Sequence, residues 1–174
     1  TQSDEDSHRL LRVFTLLSKE EIEAIEKEHA EAPHLRIMQK ALAKDVTIRV
    51  HSQKAYDTAV KASEILFGKA TLDTLRSIED DEFEVIFDGV PQTTISRETF
   101  DNCATILDLV STATNLEVYP SKGEARRALQ QNAVSVNKVK ATSAEQPVSE
   151  FELLKNKFLL ISKGKKNHLL KIED

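Results

Sequence analysis

The sequence predicts an α+β fold, with a helical domain of about five helices followed by a small α/β domain. In the second domain, short helices are expected to pack on a small, mostly antiparallel sheet. Apolar residues recur every three or four positions over the first two thirds of the chain, which is typical of helices. Near the end of the chain they alternate or form short β-rich runs instead. With only 4 Gly and 4 Pro among 174 residues, most of the chain is expected to fold.

The distribution of charge places the boundary between the two domains. Residues 121–174 contain 11 Lys and Arg against 6 Asp and Glu, whereas the whole chain has a net charge of −5. The sign of the charge changes around residues 116–120, where the periodicity changes as well. We therefore predict domains over residues 1–117 and 118–174. A basic cluster beside an acidic body favours an oriented contact with a nucleic acid.

Two helices are predicted near the start of the chain. Ser18 and Glu21 have the spacing of a capping box, which begins a helix of about residues 19–30. Pro33 suits the first turn of the next helix, which we predict over about residues 34–51. Its apolar face is formed by Leu35, Met38, Leu42, Val46 and Val50.

Three further helices complete the predicted helical domain. Ser52 is expected to cap the first of them, which ends at Gly68 in a left-handed conformation. A shorter helix is centred on Phe83. Residues 93–95 are predicted to be extended, and Ser96 caps a last helix up to Asn115. The buried stripe of this helix consists of Phe100, Cys103, Leu107 and Val110.

The second domain begins with a short cationic helix over residues 122–131. A strand at 134–136 and two β-rich runs at 158–161 and 168–172 follow it. Between these two runs lies a tight, lysine-rich hairpin turn in which Gly164 can adopt a positive φ.

The cationic helix is the candidate functional site. Lys122, Arg126 and Gln130 recur at intervals of four and therefore share one face, and Ser121 can cap the helix. From the charge alone, two explanations stay open: RNA contact, or a surface helix that is charged for solubility. The predicted RNA-binding residues are Ser121, Lys122, Arg126, Arg127, Gln130, Gln131, Asn132, Lys163, Lys165 and Lys166.

Other chemistries find little support in the sequence. The five histidines show no spacing that places two of them on one helix face, as a metal-binding pair requires. Cys103 lies on an apolar stripe, which favours a small buried side chain over a nucleophile. The acidic residues 79–82 precede a helix and suit its N-terminus better than a metal site. We predict neither a catalytic residue nor a metal site.

The single cysteine cannot form an internal disulfide, which fits a reducing compartment. No apolar run approaches the roughly 20 residues that a membrane-spanning helix needs. We therefore expect a cytoplasmic protein without a membrane contact.

Several segments resemble one known family in their order along the chain. They are Phe-Thr-Leu-Leu-Ser-Lys-Glu-Glu-Ile at 14–22, Leu-Ala-Lys-Asp-Val-Thr at 42–47, Asp-Gly-Val-Pro at 88–91, Ser-Lys-Gly-Glu-Ala-Arg-Arg at 121–127, Gln-Asn-Ala-Val-Ser-Val-Asn at 131–137 and Lys-Gly-Lys-Lys-Asn-His-Leu-Leu at 163–170. Together they resemble the C-terminal region of bacterial tyrosyl-tRNA synthetases. That region consists of a helical anticodon-binding domain and an S-four-type RNA-binding domain.

The resemblance implies that tyrosine tRNA is the partner of this chain. The small domain would hold the variable arm and the anticodon side, and the helical domain would help to place the anticodon stem. The parent protein would be an ATP-dependent, class I tyrosine–tRNA ligase and a homodimer through its catalytic domain. Because this sequence lacks the family's two catalytic signatures, the chain alone is expected to be no enzyme and to need no cofactor. Since the resemblance implies a dimer contact in the catalytic domain, this chain is expected to be monomeric.

Two departures from the family pattern concern turns. Lys138 stands where the family usually has glycine, so a longer or reshaped turn is expected after the first strand. Residues 155–157 replace an acidic Gly-Asp turn, although Asn156 tolerates left-handed geometry. The competing hypothesis for the whole chain is a stand-alone RNA-binding or protein-interaction module without an enzyme.

Overall fold

A computed structural model describes residues 3–174 of the chain, so that Thr1 and Gln2 lie outside the described part of the predicted helical domain. The chain divides into two compact units, one ending at Val60 and the other running from Lys61 to Asp174. The boundary predicted between residues 117 and 118 therefore falls inside the second unit.

The helices within residues 3–174 are α1 (Asp4–Phe14), α2 (Lys19–Glu31), α3 (Ile37–Val50), α4 (Gln53–Phe67), α5 (Leu72–Arg76), α6 (Asp80–Phe87), α7 (Arg97–Asp101), α8 (Ile106–Leu109) and α9 (Lys122–Gln130). Short 3-10 helices occupy Pro33–Leu35 and Val148–Glu150. The strands are β1 (Gln92–Ser96), β2 (Val134–Val136), β3 (Val139–Lys140), β4 (Phe158–Lys163) and β5 (Lys166–Glu173). The α+β prediction is confirmed. Of these helices, none is both long enough and apolar enough to cross a membrane.

The first unit is built on α1, α2 and α3, which bury Leu11, Ile22 and Leu42 against one another. The predicted capping box of α2 is confirmed, because Ser18 Oγ accepts from the N–H of Glu21 at 3.2 Å and the Glu21 carboxylate accepts from the N–H of Ser18 at 2.7 Å. Helix α1 was not predicted from the apolar pattern.

The helix predicted over residues 34–51 begins later than expected. Pro33 starts a 3-10 turn, and Arg36 then adopts a left-handed conformation with φ +56° before α3 begins at Ile37. A left-handed residue cannot continue a right-handed helix, so the chain changes direction at this point.

The predicted cap at the start of α4 is confirmed, and the predicted conformation at its end is wrong. Ser52 caps the start of α4, since its Oγ accepts from the N–H of Ala55 at 3.0 Å. The prediction of a left-handed Gly68 is wrong: among the described glycines, positive φ occurs at Gly89 and Gly164. Glycine is nevertheless required at position 68, because an added Cβ would lie 2.7 Å from the carbonyl oxygen of Glu64.

The helix predicted up to Asn115 is divided into two short helices. Helix α7 ends at Asp101, and Thr105 then caps α8 by accepting from the N–H of Asp108 at 3.3 Å. The N–H of Ile106, the first residue of α8, donates at 2.9 Å to the carbonyl of Gln146, a partner that lies outside the helix. A distant hydrogen bond of this kind could not be read from the spacing of apolar residues.

The second unit contains a five-stranded sheet in the order β1-β5-β4-β2-β3. All neighbouring pairs are antiparallel except β1 and β5, which are parallel. The extended segment predicted at 93–95 is confirmed as β1, but it joins the sheet that was predicted to lie wholly beyond residue 117. This pairing is the physical reason why the second unit begins long before that position.

Helices cover both faces of this sheet. On one face, α8 and α9 pack on side chains that include Leu159, Ile161 and Leu170. On the opposite face, the end of α4 together with α5 and α6 packs on Leu160 and Leu169. Because successive strand residues point to opposite faces, β4 and β5 contribute apolar side chains to both layers. Helix α9 and the β4–β5 turn, which carry most of the predicted site residues, are therefore attached to a sheet that is covered on both faces.

Candidate nucleic-acid interface

Helix α9 presents a cationic face to solvent. Its inner face is fixed by Ala125 and Leu129, which are both fully buried in the core. At its start, Ser121 Oγ accepts from the N–H of Glu124 at 3.1 Å. Lys122, Arg126 and Gln130 lie on the exposed side, as the interval of four predicted, and Arg127 is exposed as well.

The end of α9 is a Schellman motif centred on Asn132. This residue has φ +53°, its N–H donates to Leu129 at 3.0 Å, and the N–H of Ala133 donates to Ala128 at 2.9 Å. Asparagine tolerates the left-handed conformation better than most residues. Asn132 therefore has a structural role, while its exposed side chain, like that of Gln131, faces solvent.

Two of the α9 cations have acidic neighbours. Lys122 Nζ lies 2.7 Å from Asp108 Oδ1, and Arg126 lies 3.5 Å from Glu145 Oε1. The Lys122 ammonium holds the pKa of the Asp108 carboxyl below its ordinary value. Since both cations are about half exposed, these pairs contribute at most ~1 kcal/mol each and can be exchanged for phosphate.

The lysine-rich turn between β4 and β5 lies beside the end of α9. Lys163 and Lys166 pair directly across the hairpin, and Gly164 has φ +61°, as predicted for this turn. The N–H of Gly164 donates to the carbonyl of Ala133 at 3.0 Å. This hydrogen bond joins the turn to the residue that follows Asn132, so the turn adjoins the end of α9.

The three lysines of this turn are not equivalent. Lys163 Nζ donates to the carbonyl of Val118 at 2.6 Å and lies 4.9 Å from the centre of the Tyr119 ring. It is only partly exposed, whereas Lys165 and Lys166 are exposed. Sequence spacing could not distinguish these orientations, and a direct phosphate contact of Lys163 stays a prediction.

A buried polar group holds the segment that leads into α9. The Thr93 hydroxyl lies 2.7 Å from His168 Nε2 and donates to the carboxylate of Glu117. Burial lowers the pKa of His168, and the nearby Glu117 carboxylate opposes this shift. These bonds connect β1 and β5 to the residues just before Pro120 and so position the start of the cationic helix.

Cys103 is half-buried, and its pKa is raised by burial and by the charge of Asp108. It packs against the core that contains Leu107. Among residues 3–174, no group of three or more His, Cys, Asp and Glu side chains lies close enough to hold a metal ion.

The turn after β2 adds one cation, Lys138, that the sequence interpretation did not assign to the site. Asn137 and Lys138 have φ +48° and +68° and form a two-residue turn, so the longer turn expected there is not present. Two positive φ values fit the primed turns of short hairpins. Lys155 and Asn156 are also left-handed, with φ +52° and +57°.

Comparisons with known proteins agree with the sequence resemblance. A family model described as the tyrosine–tRNA ligase SYY-like C-terminal domain matches residues 82–171. A second model, described as tRNA synthetases class I (W and Y), matches residues 1–68. Both ranges lie in the regions in which the resembling segments occur.

The similar curated proteins carry one name. The chain is 54% identical over 168 residues to a tyrosine–tRNA ligase of Cytophaga hutchinsonii, covering 97% of this chain and 39% of the relative. It is 46% identical over 170 residues to that of Bacteroides thetaiotaomicron, covering 98% and 39%. It is also 46% identical over 168 residues to that of Amoebophilus asiaticus, covering 97% and 39%. The chain thus spans 39% of the length of these relatives.

Proposed function

Because this chain belongs to the tyrosine–tRNA ligase family, we propose that it binds tyrosine tRNA through the outer face of α9 and the β4–β5 turn. The observation that carries the proposal is the Gly164–Ala133 hydrogen bond, which sets the lysine-rich turn against the end of the cationic helix. The turn and the end of the helix therefore adjoin, in a chain whose net charge is −5. A localised basic surface on an acidic protein binds a polyanion in a defined orientation, whereas cations spread over the whole protein would bind it indiscriminately.

The cations of this surface bind RNA phosphates. Lys122, Arg126 and Arg127 contact the backbone from α9, and Lys165 and Lys166 contact it from the turn. Lys163 adds its charge while its ammonium holds the Val118 carbonyl. Phosphate contacts of this kind supply affinity without reading sequence.

Neutral side chains at the end of α9 complete the surface. Gln130, Gln131 and Asn132 are exposed amides, which can donate and accept at ribose hydroxyls or at an unpaired base. Ser121 caps the helix, so that the remaining N–H groups of its first turn face an approaching phosphate. The shape of the RNA, more than its base sequence, is then recognised.

The two parts of the chain divide the task. Residues 118–174 hold the variable arm and anticodon side of the tRNA, and residues 1–117 help to place the anticodon stem. The family match favours this role over that of a stand-alone RNA-binding or protein-interaction module.

The parent protein uses the bound tRNA in ATP-dependent tyrosylation in the cytoplasm and is a homodimer. The sequence Phe-Gly-Lys at 67–69 resembles part of the family's second catalytic loop, but it lies at the carboxyl end of α4. Phosphates are favoured at the N–H groups of a helix N-terminus, so this segment does not suit an ATP site. The residues of this chain therefore position the tRNA, and the chemistry of tyrosylation takes place elsewhere.

A salt series of tRNA binding tests the proposal. Arg126→Ala and Lys165→Ala are each expected to weaken binding and to reduce the slope of log K against log salt by about one unit for each phosphate that is no longer neutralised. Arg126→Lys, which keeps the positive charge at the same position, is the matched control and leaves the slope unchanged. Unchanged slopes in both test variants would refute the assignment of the surface.

A further inference from the structure

A polar cavity of about 480 Å³ lies on the face of the sheet opposite α9. It is formed within the second unit by the end of α4 and by strands β2, β4 and β5. Its volume is within the ~300–1,000 Å³ range of ligand-binding pockets. No part of the surface proposed above explains it, apart from Lys165, which lies at its rim.

A row of polar side chains forms the floor of this cavity. Ser135, Ser162 and Asn167 are neighbours in register across three strands. Ser162 Oγ donates to Asn167 Oδ1 at 2.7 Å, and Asn167 Nδ2 donates to the carbonyl of Leu66 at 2.7 Å. These bonds fix the orientation of the amide and attach the end of α4 to the sheet.

Two lysines supply positive charge. Lys138 and Lys165 both line the cavity, and no Asp or Glu of the described chain is among the lining residues. Neither lysine has an ion-pair partner within residues 3–174. Burial lowers the pKa of Lys138, so its ammonium is partly removed from water and would be stabilised by an anion.

An exposed aromatic ring completes the cavity. Phe67 lines it and also lines an adjoining cavity of about 240 Å³ that contains Lys165 and Lys166. The side chain is 78% exposed, although it lies at the end of a helix whose neighbouring residues are packed. A solvent-exposed ring beside lysines is the combination on which proteins stack unpaired bases.

We propose that this cavity binds one unpaired nucleotide of the RNA, with the base stacked on Phe67 and the phosphate paired with Lys138 and Lys165. The backbone carbonyls at the end of α4 would then accept from amino groups of the base. The inference rests on the proposed function, since the nucleotide belongs to the same RNA that α9 contacts. An RNA that passes around the tip of the β4–β5 hairpin reaches both faces of the sheet.

Two RNA hairpins distinguish binding at this cavity from binding at the α9 surface. One carries a single bulged adenosine, and the other has the same sequence fully paired. Phe67→Ala is expected to weaken binding of the bulged hairpin by about 5- to 100-fold and to leave the paired hairpin unaffected. Val85→Ala, which removes another exposed apolar side chain from the second unit, changes neither affinity.

Lys138→Gly makes the test independent of folding. Because glycine adopts φ +68° without strain, this variant is expected to unfold at a higher urea concentration, yet to bind the bulged hairpin more weakly. A gain in stability together with weaker binding cannot arise from misfolding.

Arg126→Ala distinguishes the two proposals, because it weakens binding of both hairpins if the α9 surface holds the backbone. If it has no effect while Phe67→Ala still discriminates between the hairpins, the cavity assignment stands and the α9 assignment fails. Equal effects of Phe67→Ala on both hairpins, or no effect on either, would overturn the nucleotide site. Competition gives a further check. If adenosine monophosphate displaces neither hairpin and a glutamate-rich peptide displaces the bulged one, the nucleotide site is also overturned.

Discussion

Replacing Asn137 tests how the sheet of the second unit is held together. Asn137 is almost fully buried, and it follows β2 with φ +48°. Its side chain makes two hydrogen bonds at once: Oδ1 accepts from the N–H of Leu160 at 2.7 Å, and Nδ2 donates to the carbonyl of Glu152 at 2.6 Å. One amide thus joins the turn after β2 to the centre of β4 and to the loop before it.

The cost of Asn137→Ala can be estimated from these hydrogen bonds and from the backbone conformation. Alanine in a left-handed conformation costs about 1–2 kcal/mol. Leu160 is fully buried, so its orphaned N–H costs about 1–3 kcal/mol. Glu152 is exposed, and water can replace the missing donor there. We therefore expect the free energy of unfolding to fall by about 3 kcal/mol for Asn137→Ala and by about 2 kcal/mol for Asn137→Gly, which removes only the hydrogen bonds.

Asn132 provides the matched control, because it has a similar φ of +53° but an exposed side chain. Asn132→Ala is expected to cost about 1 kcal/mol and Asn132→Gly close to nothing. Urea unfolding followed by circular dichroism measures the four values, and hydrogen exchange of the Leu160 amide reports the local weakening. If Asn137→Gly were as stable as the unmodified chain, or if the two alanine variants were equally destabilised, the buried amide would not hold the sheet.

Three further outcomes are expected. Lys163→Met should lower the free energy of unfolding by about 2 kcal/mol, because it removes a charged donor from Val118, whereas Lys165→Met should change it by less than ~0.5 kcal/mol in the same urea experiment. Ser121→Ala should cost about 1 kcal/mol through removal of the α9 cap, measured by thermal unfolding. Because burial lowers the pKa of His168, the unfolded chain protonates this side chain at a higher pH than the folded chain does. The folded state therefore keeps its stability above the ordinary pKa of 6.5 and loses part of it as the pH falls through the folded pKa. A pH series of unfolding should therefore be less steep below 6.5 in His168→Gln, and equal slopes would contradict this.

Local signals were sufficient to predict much of the second unit. The cap at Ser121, the amphipathic face of α9 and the turn at Gly164 depend on residues within a few positions of one another. The parallel pairing of β1 with β5 was not predicted, because it joins Gln92 to Leu169 and no local pattern records such a partner. The same reason explains why the helix predicted up to Asn115 was divided.

The sequence predicted which residues belong to the candidate site more completely than it predicted their positions relative to one another. Charge along the sequence identified the cations of α9 and the turn, since most of them are exposed. It could not show that Lys163 points toward Val118. Nor could it show that Phe67 and Lys138, which are 71 positions apart in the sequence, line one cavity. A side chain's partner across a sheet is determined by strand register, which the sequence of one strand does not specify.

The boundary predicted from charge, near residue 117, differs from the boundary between the compact units, at residues 60 and 61, because charge and core packing are different properties. Net charge is a surface property, and its change near residue 117 marks where the basic segment of the chain begins. A core is defined by side chains that bury one another: Phe83 and Ile86 share one cluster with Leu160 and Leu169, and Ile95 shares the other with Ile172. Helices before residue 117 and strands after it therefore complete each other's cores. The sheet that carries the lysine-rich turn is therefore covered on its opposite face by helices that precede it in the sequence.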